Sequence, residues 1–173
     1  MGLPEKPLAE FRSVGEIQEA FERQLANLID HSVISSVVAQ KLHMEMVPRP
    51  FLSTCVDGCM EKGLDLSKGG AVYNVGPVLT GIGLSVVANG LAAIEKLVFE
   101  DRSATLGELA KAMDDDWVGH EDLRKRALAA PKYGNDNEAV DRYAREISDF
   151  YYRTTRRHPC DVASSGSRSP RSP

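Results

Sequence analysis

No stretch of these 173 residues approaches the roughly 20 consecutive apolar residues that cross a bilayer, and no basic segment followed by an apolar one opens the chain. The expectation is a cytoplasmic protein without a membrane partner. Basic residues are not in excess either: 21 Lys and Arg stand against 25 Asp and Glu, a formal net charge of -4. No broad cationic face is available for a phosphate backbone, so nucleic acid is not expected as a partner. Cysteine is scarce and odd in number, three in all, with Cys55 and Cys59 close together and Cys160 distant. That pattern excludes a secreted disulfide framework and suits a reducing compartment.

Chemical motifs are thin as well. Gly76, Gly81 and Gly83 space a connection toward a helix, but no Lys-Ser or Lys-Thr follows to hold a phosphate, and the six-residue dinucleotide fingerprint is absent. Cys55 and Cys59 lie four residues apart, with no further ligand at zinc-like spacing beyond His43; two buried cysteines beside Leu52 and Val56 are expected instead. Asp114, Asp115 and Asp116 are adjacent, and neighbours on a helix do not converge, so a solvated helix end is the reading. No metal site is predicted.

What the chain does contain is helix. After an irregular lead-in over residues 1–12 with Pro4 and Pro7, Ser13 and Glu16 have the spacing of a capping box. Ile17, Phe21, Leu25, Leu28, Ile29, Val33, Val37 and Val38 then carry an apolar stripe as far as Pro48. Pro50 is placed to open a second helix ending near Gly63. A third runs from about Leu84 to Glu100, apolar almost all round and dotted with Ala and Gly that permit close approach to a sheet. Thr105 and Glu108 form a second capping box, and a short helix passes through Leu123 and Leu128. Residues 131–136 make a turn with Asn135 or Asp136 as N-cap to a last helix bearing Val140, Tyr143, Ala144, Ile147, Phe150 and Tyr151.

Between the second and third helices, Gly69 to Val75 reads as a buried strand. The glycine pair suits a backbone that passes close to another before entering a sheet. Tyr73 and Asn74 end that strand and are the substrate-cavity candidates, since Tyr supplies both a ring wall and a hydroxyl. A tyrosine packed between strand and helix is the alternative. From residue 158 onward Ser, Arg, Pro and Gly dominate, and a disordered, divergent tail is expected there. An interrupted reading frame is the preferred origin of that tail.

Pro50-Phe51-Leu52-Ser53, Cys59 with Gly63 and Asp65, the Gly69 to Asn74 stretch, Leu91-Ala92-Ala93-Ile94 with Lys96-Leu97-Val98-Phe99, and Pro131-Lys132-Tyr133-Gly134-Asn135-Asp136 with Val140-Asp141 together resemble one family. It is the pyruvate formate-lyase-like glycyl radical enzymes, in the branch of glycerol and diol dehydratases, choline trimethylamine-lyase and arylacetate decarboxylases. The resemblance covers about Phe11 to Tyr152, in the family's order. It implies an α/β fold class: a mostly helical fragment of a ten-stranded α/β barrel with few of its strands present, over residues 13–157. It also implies radical lyase, dehydratase, decarboxylase or formate acetyltransferase chemistry through a glycyl and thiyl radical pair. An AdoMet radical activase with an iron–sulfur cluster would install the glycyl radical, with no cofactor bound directly, and the full-length parent could be a homodimer.

The chain departs from that family at the reacting residues. Cys55-Val56-Asp57 is similar to the thiyl-cysteine motif, but Thr54 stands where glycine belongs, and this block follows the cysteine in the family's order. Arg12-Ser13-Val14-Gly15-Glu16 is loosely similar to the radical-glycine motif but lacks its aromatic residue. The expectation is therefore that the catalytic residues are absent here, the cysteine lying upstream of Met1 and the radical glycine downstream where this chain has its divergent tail, and that the chain alone is inactive. The competing readings are a non-catalytic helical protein-interaction module and, last, an RNA-associated protein led by the Arg-Ser tail.

Overall fold

The computed structural model describes residues 2–74 and 79–158. Among them are seven α-helices and no strand: α1 (Val14–Met46), α2 (Pro50–Thr54), α3 (Cys59–Lys62), α4 (Leu84–Ile94), α5 (Leu106–Asp114), α6 (Glu121–Ala129) and α7 (Glu138–Thr155). Short 3-10 turns occupy Leu8–Glu10 and Leu66–Lys68, and α4 runs on as a π-helical segment, Glu95–Glu100. The chain divides into two compact units, the first of Met1–Asn27 and Gly81–Thr154, the second of Leu28–Thr80 and Thr155–Pro173; α1 contributes to both. The expected tail lies outside the described residues, apart from His158.

The first unit is built on two apolar clusters. In one, Ala88, Leu91 and Ala92 of α4 meet Val140, Tyr143 and Ala144 of α7, with Val14 and Ile17 of α1 packed against them. The small residues of α4 do allow close approach, but to a helix rather than to a sheet. The helix read as apolar almost all round is not covered all round among the described residues: Val86 is 71% exposed. In the second cluster Leu97, Ala104, Leu109, Ala112 and Leu123 are buried, with Trp117 and Val98 against them.

Helix ends follow the local chemistry. Thr105 Oγ1 accepts from Glu108 N–H at 3.1 Å while the Glu108 carboxylate accepts from Thr105 N–H at 2.7 Å, a complete capping box. At α1 only half of the box forms: Ser13 Oγ accepts from Glu16 N–H at 3.3 Å, and the Glu16 carboxylate turns to Arg12 N–H at 2.9 Å and Lys6 Nζ at 2.6 Å. Those bonds, with Leu3 N–H donating to Gln24 Oε1 at 2.9 Å and Arg23 paired with Glu5 at 2.6 Å, tie the irregular lead-in to the first turns of α1. The N-terminal cap of α7 is Asn137, one residue past the two expected, its side-chain oxygen accepting from Ala139 N–H at 3.1 Å.

The second unit is different in kind. Pro50 opens α2 as expected, but the predicted helix to Gly63 breaks into α2 and α3. Gly58 causes the break, with φ +93; a Cβ there would sit 2.9 Å from the Gly70 carbonyl oxygen. The break also separates the cysteines: Cys59 is buried and Cys55 exposed, so the expectation of two buried thiols is half corrected.

A candidate site without a strand

The residues expected to end a buried strand stand instead on a knot of polar bonds in the second unit. Its centre is Asp65, which precedes the 3-10 turn Leu66–Lys68. Asp65 Oδ1 accepts from Ser67 Oγ at 2.6 Å and Ser67 N–H at 2.9 Å, and Oδ2 accepts from Arg49 N–H at 2.7 Å. Ser53 Oγ, on α2, lies 2.9 Å from Oδ2 and itself accepts from Leu66 N–H at 3.0 Å. The Ser67 hydroxyl and amide, then the Arg49 amide and the Ser53 hydroxyl, all favour the charged carboxylate and hold it well below the usual range for Asp. One side chain thereby joins the start of α2 to the turn twelve residues and more beyond it.

From that turn the chain enters Gly69, the left-handed residue at φ +84 that ends it, and Gly70, where a Cβ would lie 2.1 Å from the Leu64 carbonyl oxygen. The close approach expected of the glycine pair is therefore present, but its partner is this chain's own backbone. Gly69 to Asn74 is not a strand. A strand exists through ladder bonds to a neighbour, and here the backbone groups go to local partners. Gly70 N–H donates to Asp65 O at 3.1 Å and Val72 N–H to Asp57 O at 2.8 Å, while Lys62 Nζ reaches Ala71 O at 3.0 Å. Val75 lies outside the described residues.

Tyr73 and Asn74 follow directly on this knot and are both exposed, Tyr73 to 89%. Neither the cavity wall nor the tyrosine packed between strand and helix is formed within the described residues. Tyr73 is instead presented outward from a braced base.

The remaining sequence candidates are accounted for by ordinary contacts. Asp115 pairs with Lys111 at 2.9 Å and with His120 at 3.2 Å, which lowers its pKa, while Asp116 turns into the left-handed region at φ 50. Among the described residues no three His, Cys, Asp or Glu side chains are grouped to hold a metal ion. The first unit carries an open cleft of about 410 Å³ with Tyr133, Asp141, Arg145 and Ser148 on its walls. Asp141 Oδ1 serves the turn over residues 131–136 by accepting from Gly134 N–H at 3.3 Å, and Arg145 is held within α7 by Glu138.

A polar cluster that sequence reasoning missed, with Tyr143 buried and the Arg142 side chain 44% exposed, joins the π-helical segment to α7. Arg142 Nη2 donates to Glu95 Oε1 at 2.7 Å and to Tyr143 Oη at 2.8 Å, with its guanidinium 4.6 Å from the Tyr143 ring centre. Burial, reinforced by a hydrogen bond to Glu95, pushes the Tyr143 phenol up to about 12, so it stays protonated at neutral pH. Asp65 was named only as part of the family resemblance, and its bonding role was missed. Its signal was present in Asp65-Leu66-Ser67, the spacing of a side chain that caps its own turn two residues on.

Residues 1–167 match the family described as pyruvate formate lyase-like, and the chain belongs to it; its relatives are glycyl radical dehydratases and lyases. The trans-4-hydroxy-L-proline dehydratase of Clostridioides difficile is 36% identical over 143 residues, which are 82% of this chain and 18% of that protein. The (2S)-3-sulfopropanediol dehydratase of Klebsiella oxytoca is 32% identical over 150 residues, 86% of this chain and 18% of that one. Among solved structures, the glycerol-bound B12-independent glycerol dehydratase of Clostridium butyricum is similar with a TM-score of 0.79 at 33% identity, covering 91% of this chain and 20% of that chain. This chain thus spans about a fifth of the length of the relatives it matches. Among the described residues no helix is long and apolar enough to cross a membrane.

Proposed function

We propose that this chain is a segment of a glycyl radical dehydratase or lyase that cleaves a bond in a small hydroxylated substrate, and that the polypeptide has no turnover by itself. The observation that carries this reading is the match of nearly the whole chain to about a fifth of enzymes whose names specify dehydration of hydroxyproline, sulfopropanediol or glycerol. In the proposed reaction an AdoMet radical activase installs a glycyl radical, which passes to a cysteine that abstracts hydrogen from the substrate. Hydrogen-atom transfer demands near contact between donor and acceptor in a water-excluded cavity. Cys55 does not fit the thiyl role: it is exposed and bonded locally, its sulfur 3.8 Å from the Phe51 carbonyl oxygen. The iron–sulfur cluster is assigned to the activase rather than to this chain. Tyr73 and Asn74, exposed in this chain, are proposed to face the cavity once further parts of the fold enclose them.

Anaerobic incubation with an activase, AdoMet and reductant, followed by electron paramagnetic resonance, tests the first half. The chain alone is expected to give no glycyl doublet, and a doublet overturns its assignment as a silent segment. A full-length chimera tests the second half. The matched 143 residues of the Clostridioides difficile dehydratase are replaced by the corresponding residues of this chain. The chimera is expected to fold and to take up a glycyl radical; failure to do either counts against the reading.

A further inference from the structure

We infer that the outer face of α1 in the second unit, marked by Ile34, Val38 and Leu42, is a docking seam for the part of a pyruvate formate lyase-like fold that this chain does not contain. The inference rests on the segment reading above. These three residues recur at four-residue steps, so their side chains stack along one stripe of the helix. They are 63%, 51% and 48% exposed. An amphipathic helix carries its apolar stripe toward a packing partner, yet on α1 between Leu28 and Met46 only Ile29 is buried. In the same unit Phe51 is 84% and Met60 67% exposed.

The occupant follows from the comparison. In the Clostridium butyricum dehydratase, a backbone similar over 91% of this chain makes up only 20% of one continuous chain. About four fifths of that fold is therefore available to lie against a stripe that this chain leaves bare. A helix face held in place by backbone bonding, with its apolar side chains already aligned, needs no rearrangement to receive such a surface, and covering it removes apolar area from water.

The test compares one substitution set in two settings. Ile34→Asn, Val38→Asn and Leu42→Asn are made together in this full chain and in the chimera with the Clostridioides difficile dehydratase. In the chain alone, helix content and urea midpoint are expected to stay unchanged and binding of a hydrophobic dye to fall. In the chimera, the soluble protease-resistant fraction and the glycyl doublet are expected to fall roughly tenfold or more, because each buried amide lacks partners. The apolar set Ile34→Leu, Val38→Ile and Leu42→Met is expected to retain both signals. A chimera that tolerates the Asn set with less than about a twofold loss, on the same scale of burial costs, overturns the seam. Unfolding of the isolated chain by that set also overturns it, since the stripe would then belong to this chain's own core. A parent chimera that fails before any of these substitutions defeats the segment reading itself, which is a separate outcome.

Discussion

Fourteen of the seventeen buried hydrophobic side chains among the described residues belong to the first unit, whereas twelve of the twenty-one large hydrophobics left exposed belong to the shorter second unit. The two are held together by different physics. In the first, α4 and α7 and then the π-helical segment, α5 and α6 remove apolar surface from water, the dominant favourable term in folding. In the second, order comes from directed bonds: a carboxylate with four polar neighbours, a glycine beneath a carbonyl and a lysine across two carbonyls. Directed bonds specify a shape well but contribute modestly to net stability, about 1 kcal/mol each. The difference therefore separates a unit equipped to hold itself from one equipped to be held.

Four changes would break or sharpen that contrast. The largest effect is expected from Leu97→Ala, which opens a cavity in the second apolar cluster; a loss of about 2–5 kcal/mol should appear in urea unfolding followed by helix circular dichroism. A loss below about 0.5 kcal/mol, the range of an exposed site, would show the first unit to be as loosely packed as the second. Gly70→Ala should come next, at roughly 1–3 kcal/mol from forced displacement of the Leu64 backbone, with faster hydrogen exchange confined to residues 49–72. Global loss of protection would mean that the two units unfold together.

Thr105→Ala removes one half of a capping box and should cost about 1 kcal/mol, with fraying of α5 read by amide exchange. Smallest is the effect of Asp65→Asn, visible as a pH dependence. The carboxyl has a lower pKa folded than unfolded, so its contribution is fully present above the unfolded value of about 4. It fades as pH falls from there through the depressed folded value. Protection of the Ser67 and Arg49 amides in the parent should weaken over that acid window, and the Asn variant should lack this dependence. An unchanged acid profile in the variant would remove Asp65 as the centre of the knot.

Much of the first unit could be read from the residues, because its signals are local. The capping box at Thr105 and the helix stripe through Val140, Tyr143, Ala144 and Ile147 depend on neighbours within a few positions, as does Pro50 as an opening residue in the second unit. The second unit was less legible. The apolar run of a buried strand is local, but the ladder that makes it a strand is not, and over Gly69 to Asn74 the backbone bonds are taken by Asp65, Asp57 and Lys62. Gly58 breaks a helix because of where Gly70 lies, twelve residues away. The same limit applies to the candidate site: residues expected to face a cavity can be named from pattern, whereas the cavity itself depends on what surrounds them. Family membership was legible because it rests on ordered blocks of residues rather than on their three-dimensional partners.

The π-helical segment after α4 works as a change of gear. Leu91 and Ala92 serve one apolar cluster and Leu97 the other, and the wider turn, with Asp101 N–H reaching back five residues to Lys96 O at 2.9 Å, shifts the phase of the side chains between them. An α-helix advances about 100° per residue. Losing one polar residue from Glu95–Glu100 would let the wide turn close to the ordinary one, the helix before and after it keeping nearly the phase it has. A gene carrying that deletion would thus lose the wide turn while keeping every apolar residue of both cores.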